Sequence, residues 1–194
     1  DDSIHKYWDE KGNIPGISRI LEPIADISSI PRDILETAAT RGSNIHKITE
    51  RLDLGLITEE EALDTEHKSY IEQYIQFLHD TNISWFAIER KLMDKNLRFA
   101  GRLDRIGIIG DRTYVIDLKT SSAKQDWWPV QLEAQRILAS SICKIDCVRS
   151  LHLTSNGKCK LISYSDREEK EARECFLGLL TVCHWEIKHG KRSY

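Results

Sequence analysis

The stretch that most constrains the fold runs from Phe99 to Thr120, FAGRLDRIGIIGDRTYVIDLKT. It reads as two β-strands joined by a tight turn at Gly110-Asp111. Side chains in a strand alternate between faces, so Asp117 and Lys119 share one face while Leu118 points the other way. A hairpin brings Asp104, on the first strand, towards that face. Two carboxylates and an ammonium gathered in this way suit a hard metal ion holding a phosphate.

The short pattern is common by itself. An acid, any residue and then Lys occurs six times, at Asp9, Glu66, Glu89, Asp117, Glu168 and Glu186. The others read as solvated charge on helices, turns or exposed strand faces. Asp117 differs because it ends the β-prone run Thr113, Tyr114, Val115, Ile116, where a carboxylate is not expected for packing. Spacing alone leaves two readings open, a metal site or a plain ion pair at a sheet rim.

Four segments follow one another in order: RGSNIH ending at His46, GRLDRI containing Asp104, VIDLKTS containing Asp117 and Lys119, and QLEAQ from Gln131 to Gln135. Through them the chain resembles the PD-(D/E)XK nucleases, in particular the RecB-like and phage-type exonuclease branch, over roughly Ile14 to Leu153. The resemblance implies an α/β fold, a restriction-endonuclease-like core with a central mixed β-sheet flanked by helices. It implies a metal-dependent DNA exonuclease of recombination, repair or phage DNA processing. Asp104, Asp117 and the carbonyl of Leu118 would hold Mg²⁺, and His46 as a further ligand would favour Mn²⁺. Lys119 would hold the attacking water or stabilise the phosphate, and Gln131 would orient substrate or Lys119. The family motif is Gln-x-x-x-Tyr; here Gln135 stands in the tyrosine position.

Other residues carry two readings each. His46 and Glu50 are four apart on one helical face, and a lone helical histidine is commonly structural. Glu89, in the strand expected from Ser84 to Leu92, is either an additional site residue or the partner of an arginine. Trp127-Trp128 either stack on bases or anchor a helix to the sheet. Arg102, Arg105, Ser121, Lys124, Trp127 and Gln135 are the expected nucleic-acid contacts. Net charge is −3, so the surface as a whole does not advertise a polyanion partner. Basic residues do cluster locally, at Arg90, Lys91, Lys95, Arg98, Arg102 and Arg105, and local potential governs steering. A restriction or structure-specific endonuclease and an inactive DNA-binding subunit remain alternatives to the exonuclease.

The organisation expected is one nuclease domain over 1–194. Its parts are a mainly helical 1–82, a catalytic sheet and helix over 83–165, and a C-terminal helix over 166–194. Residues 1–17 read as an irregular lead-in, and Ser18 as the cap of a short helix. A helix beginning near Pro31 is expected to break at Arg41-Gly42 and restart from Ser43. Thr58 to Glu61 reads as a capping box. Asn156-Gly157 signals a two-residue hairpin turn, and Asp166 with Glu169 reads as the cap of the last helix. The five cysteines, Cys143, Cys147, Cys159, Cys175 and Cys183, all lie in the second half. Their odd number speaks against a disulfide framework and for a reducing, cytoplasmic setting. The lack of an early cysteine speaks against the iron–sulfur cluster some RecB-like nucleases carry. Asp1 to Gly12 is polar, unlike a signal peptide, and no apolar run reaches membrane-span length. An oligomer is possible but has no sequence signature.

Overall fold

The computed structural model describes residues 7–9, 12–25 and 30–192. Its centre is a five-stranded sheet in the order β3-β4-β5-β6-β7. β3 (Ser84–Asp94), β4 (Phe99–Ile109) and β5 (Arg112–Lys119) form an antiparallel meander. α5 (Trp128–Ala139) then crosses over, so that β6 (Cys147–Leu153) runs parallel to β5, and β7 (Cys159–Ile162) returns antiparallel. The mixed sheet flanked by helices is the α/β architecture expected.

Period-two alternation decides what each face meets. Val115 joins a core with Leu103, Ile106 and Val148, closed by Leu132, Ala134 and Leu138 of α5 and by Phe176 and Leu180 of α6 (Asp166–Lys188). The short α1 (Ile17–Leu21) packs there too. Ile116 and Leu118 point the other way. There they meet Ile45 of α2 (Arg32–Asp53) and Ile71 and Tyr74 of α4 (Lys68–Thr81). Asp117 therefore emerges on the α5 side, between two residues that belong to the opposite core.

Several local expectations are corrected. α2 is one helix through Arg41, Gly42 and Ser43. A glycine inside a helix costs only about 1 kcal/mol relative to Ala, less than the tertiary contacts of a long amphipathic helix return. Gly42 also lies under Thr120, whose Oγ1 would sit 3.3 Å from an added Cβ. The lead-in contains a small antiparallel pair, β1 (Tyr7–Asp9) with β2 (Gly12–Ile14); residues 1–6, 10 and 11 lie outside the described residues. Gly16, not Ser18, is the N-cap of α1. β6 and β7 pair up to Leu153↔Cys159, so the connection is five residues long, 154–158, with Asn156-Gly157 inside it. Thr154 takes it over, its Oγ1 accepting from Lys158 N and donating to Lys158 O. The last helix is capped one residue early, by Ser165 and Glu168 in a reciprocal box. The Thr58–Glu61 box forms as expected and opens α3 (Glu59–Leu63). No helix among the described residues is long and apolar enough to cross a membrane.

Candidate metal centre

The candidate site forms where β4 stops pairing with β5. Asp104 is bridged in neither ladder: β3 pairing passes from Arg90↔Leu103 to Ile88↔Arg105, and β5 pairing ends at Arg105↔Ile116. One step beyond that last pair, Asp104 lies opposite Asp117. The amide of Leu118 donates instead to Asp104 Oδ2, at 2.8 Å. A carboxylate thus replaces a ladder carbonyl and is drawn to the end of β5. Across β4, Glu89 has φ +47°, a left-handed conformation rare for a side chain inside a strand.

α2 closes this end of the sheet. His46 Nε2 lies 3.2 Å from the carbonyl oxygen of Leu118, while Nδ1 lies 3.4 Å from Glu89 Oε1 and 3.7 Å from Asp104 Oδ2. Ligand atoms of His46, Glu89 and Asp104 all lie within 4.8 Å of one another. The three could hold one cation, and two carboxylates with an imidazole are a donor set suited to a divalent ion. Burial works against a charged His46, but Asp104 and Glu89 outweigh it and raise the imidazole to about 9. Burial likewise works against a charged Glu89, yet His46, Arg105 and Arg102 together hold its carboxyl below the ordinary glutamate value.

Asp117 belongs to a second, adjoining arrangement. It is 1% exposed. Its Oδ1 accepts from the side-chain amides of Gln131 (3.0 Å) and Gln135 (2.7 Å), four residues apart on α5. Its Oδ2 contacts Lys119 Nζ at 2.5 Å. Lys119 Nζ also donates to Gln131 Oε1 at 2.7 Å and lies over the rings of Trp127 and Trp128, 5.2 and 5.6 Å from their centroids. The ammonium is therefore held in one place by a carboxylate, an amide and two aromatic faces. Burial raises the Asp117 carboxyl above its ordinary value, Lys119 opposes that, and nearby Asp104 adds to it.

Two expected nucleic-acid contacts are corrected by burial. Arg105 is 2% exposed and spends its guanidinium inside the protein, on Asp53, Glu89, Thr49 and the carbonyl of Asp104. Gln135 is 1% exposed and turned inward to Asp117. The other four are exposed or half-buried. Arg102 is exposed, with Nε 3.0 Å from Glu89 Oε2. Ser121 and Lys124 lie in the loop after β5, and Lys124 Nζ sits 5.0 Å from the Tyr164 ring centroid. Trp127 is half-buried against the α5 core, while Trp128 is buried and edge-on to His152, ring centroids 5.1 Å apart.

The sequence reading missed the role of Asp53, Thr49 and Tyr74. A signal was present: His46, Thr49 and Asp53 recur at helical spacing and put a polar stripe on one face of α2. Arg41 of the RGSNIH segment lies on α2 as well, its Nη2 donating to the Thr120 carbonyl at 3.2 Å.

No family model matches the chain, and no curated protein matches it. Among solved structures it is similar to a candidate exonuclease from Eubacterium rectale. The TM-score is 0.51 and identity 10%, over 81% of this chain and 69% of that one. At that identity the likeness is one of fold. Another solved structure, SSO0001, aligns with TM-score 0.33 and 17% identity over 62% of this chain and 63% of that chain, too low a score to carry an argument.

Proposed function

We propose that this chain is a divalent-metal-dependent deoxyribonuclease of the PD-(D/E)XK type, acting as an exonuclease on DNA ends in recombination, repair or phage DNA processing. The observation that supports it is the meeting of His46, Glu89 and Asp104 with the Asp117–Lys119–Gln131 group where the end of β5 meets the middle of β4. The similarity of fold to a candidate exonuclease agrees with it. On this reading the sequence is one nuclease domain working in the cytoplasm.

His46, Glu89 and Asp104 would hold the cation, with Asp117 and the Leu118 carbonyl beside them. When bound, the ion would polarise the scissile phosphate and acidify a water molecule. The remaining work falls to the chain. Lys119 stabilises charge on the phosphate and positions the water that adds to phosphorus. As the water adds it gives up a proton to solvent, the bond from phosphorus to the leaving sugar oxygen breaks, and that oxygen takes up a proton from solvent to leave as a hydroxyl. Gln131 bridges Asp117 and Lys119 and keeps the ammonium facing the phosphate. Arg102, Ser121, Lys124 and Trp127 would contact the DNA strand.

The test is degradation of end-labelled linear and closed circular DNA with Mg²⁺ or Mn²⁺. An exonuclease consumes linear DNA and spares the circle. Cutting of the circle would make the protein an endonuclease, and tight DNA binding without cleavage under either ion would make it a binding subunit.

A further inference from the structure

Behind the candidate site lies a buried polar cluster that none of the roles above explains. Asp53 ends α2, and its side chain is 0% exposed. It accepts from Tyr74 Oη (2.6 Å) and Arg105 Nε (2.5 Å) on Oδ2, and from Trp85 Nε1 (3.1 Å) on Oδ1. Trp85 reaches it by lying across Gly107, where an added Cβ would come within 2.5 Å of the indole. The rest of the Arg105 guanidinium turns towards the site. Nη1 donates to Glu89 Oε1 at 3.0 Å and to the carbonyl of Asp104 at 2.8 Å, and Nη2 to Thr49 Oγ1 at 3.2 Å. Thr49 Oγ1 in turn donates to the carbonyl of His46 at 3.0 Å.

One planar cation therefore touches a group from each of the three residues that cluster for a metal: the carboxylate of Glu89, the backbone of Asp104 and, through Thr49, the backbone of His46. We infer that Arg105, oriented by Asp53, is a positioning residue for the metal centre, holding Glu89 and Asp104 at the spacing one divalent cation needs. A buried ion pair is weak support for stability, because desolvation offsets much of the attraction. A fork of fixed donors is well suited to setting geometry. The left-handed backbone of Glu89 agrees with this: the residue sits in a costly conformation while its carboxylate is gripped by Arg105 and Arg102.

The inference rests on the proposed cation site, but its test does not require DNA cleavage. Mn²⁺ binding to the full chain is measured by calorimetry for wild type, Arg105→Lys, Glu89→Gln and the double variant, with thermal unfolding followed in parallel. Arg105→Lys keeps the charge and loses the planar fork, so Mn²⁺ binding is expected to weaken about tenfold, as when groups supporting metal ligands are removed. The double variant is expected to bind no more weakly than Glu89→Gln alone, because Arg105 acts largely through that carboxylate. Unchanged Mn²⁺ affinity in a folded Arg105→Lys protein, or strictly additive losses, would overturn the inference. Should Arg105→Lys not fold, Asp53→Asn, which preserves shape and one acceptor oxygen, provides the same measurement: weakened Mn²⁺ binding supports the role and unchanged binding ends it. A wild-type protein that binds Mn²⁺ but cuts no DNA would refute the nuclease reading and leave the positioning role standing. A wild type that binds no Mn²⁺ removes both.

Discussion

Asp117 and Glu89 are neighbouring buried carboxylates stabilised in opposite ways. Asp117 is gripped by two neutral amides and one ammonium, and burial prevails, raising its carboxyl. Glu89 faces an imidazole and two guanidinium groups, and those cations prevail over burial, lowering its carboxyl. Amide donors fix direction without cancelling charge, so at Asp117 a single ammonium is left to oppose the cost of burial. Cations cancel charge and lock position, which fixes the Glu89 carboxylate in its place beside His46 and Asp104.

The largest expected effect comes from breaking the Asp117 side. Asp117→Ala should abolish cleavage of end-labelled linear DNA, and Lys119→Met should slow it on the order of 10²–10³-fold, as when a group stabilising transition-state charge is removed. A purified Asp117→Ala protein that degrades DNA at the wild-type rate would refute the assignment.

A smaller pair of changes sharpens the contrast. Glu89→Gln alters a proposed ligand and should weaken Mn²⁺ binding by more than the roughly tenfold expected for loss of a supporting group, read by calorimetry. Gln135→Leu removes one of the two amides on Asp117 Oδ1 and should slow cleavage roughly tenfold while changing Mn²⁺ affinity less than Glu89→Gln does. Equal effects of the two variants on Mn²⁺ affinity would erase the distinction between the two carboxylates.

The smallest effect is on stability against pH in protein held with a chelator. The folded-state value of Glu89 is depressed, so its ionisation favours the fold above the unfolded value and that contribution is lost as pH falls through the folded value. Glu89→Gln should therefore lower the melting temperature at neutral pH and converge with wild type in acid. The folded-state value of Asp117 is raised, so its ionisation opposes the fold and protonation on acidification relieves the penalty. Asp117→Asn should raise the melting temperature at neutral pH, with the gain shrinking as pH drops. The same sign for both variants would contradict the opposed environments.

The hairpin from Phe99 to Thr120, the strand holding Glu89 and the C-terminal helix were legible in the chain, because each depends on local periodicity and turn chemistry. So was the sharing of one face by Asp117 and Lys119, which follows from strand geometry. Helix continuity at Gly42 was not legible, since local propensity argues for a break and only packing against the sheet opposes it. Gln135 could be placed on the face of Gln131 by spacing, but nothing in α5 alone says whether that face meets solvent or Asp117. Arg105 read as a surface cation for the same reason. Its partners Thr49, Asp53 and Glu89 lie 56, 52 and 16 residues away. Local sequence determined which elements form and which side chains each turns to one face. Tertiary structure decided which faces meet, because burial and charge pairing between distant segments arise only once the sheet has brought them together.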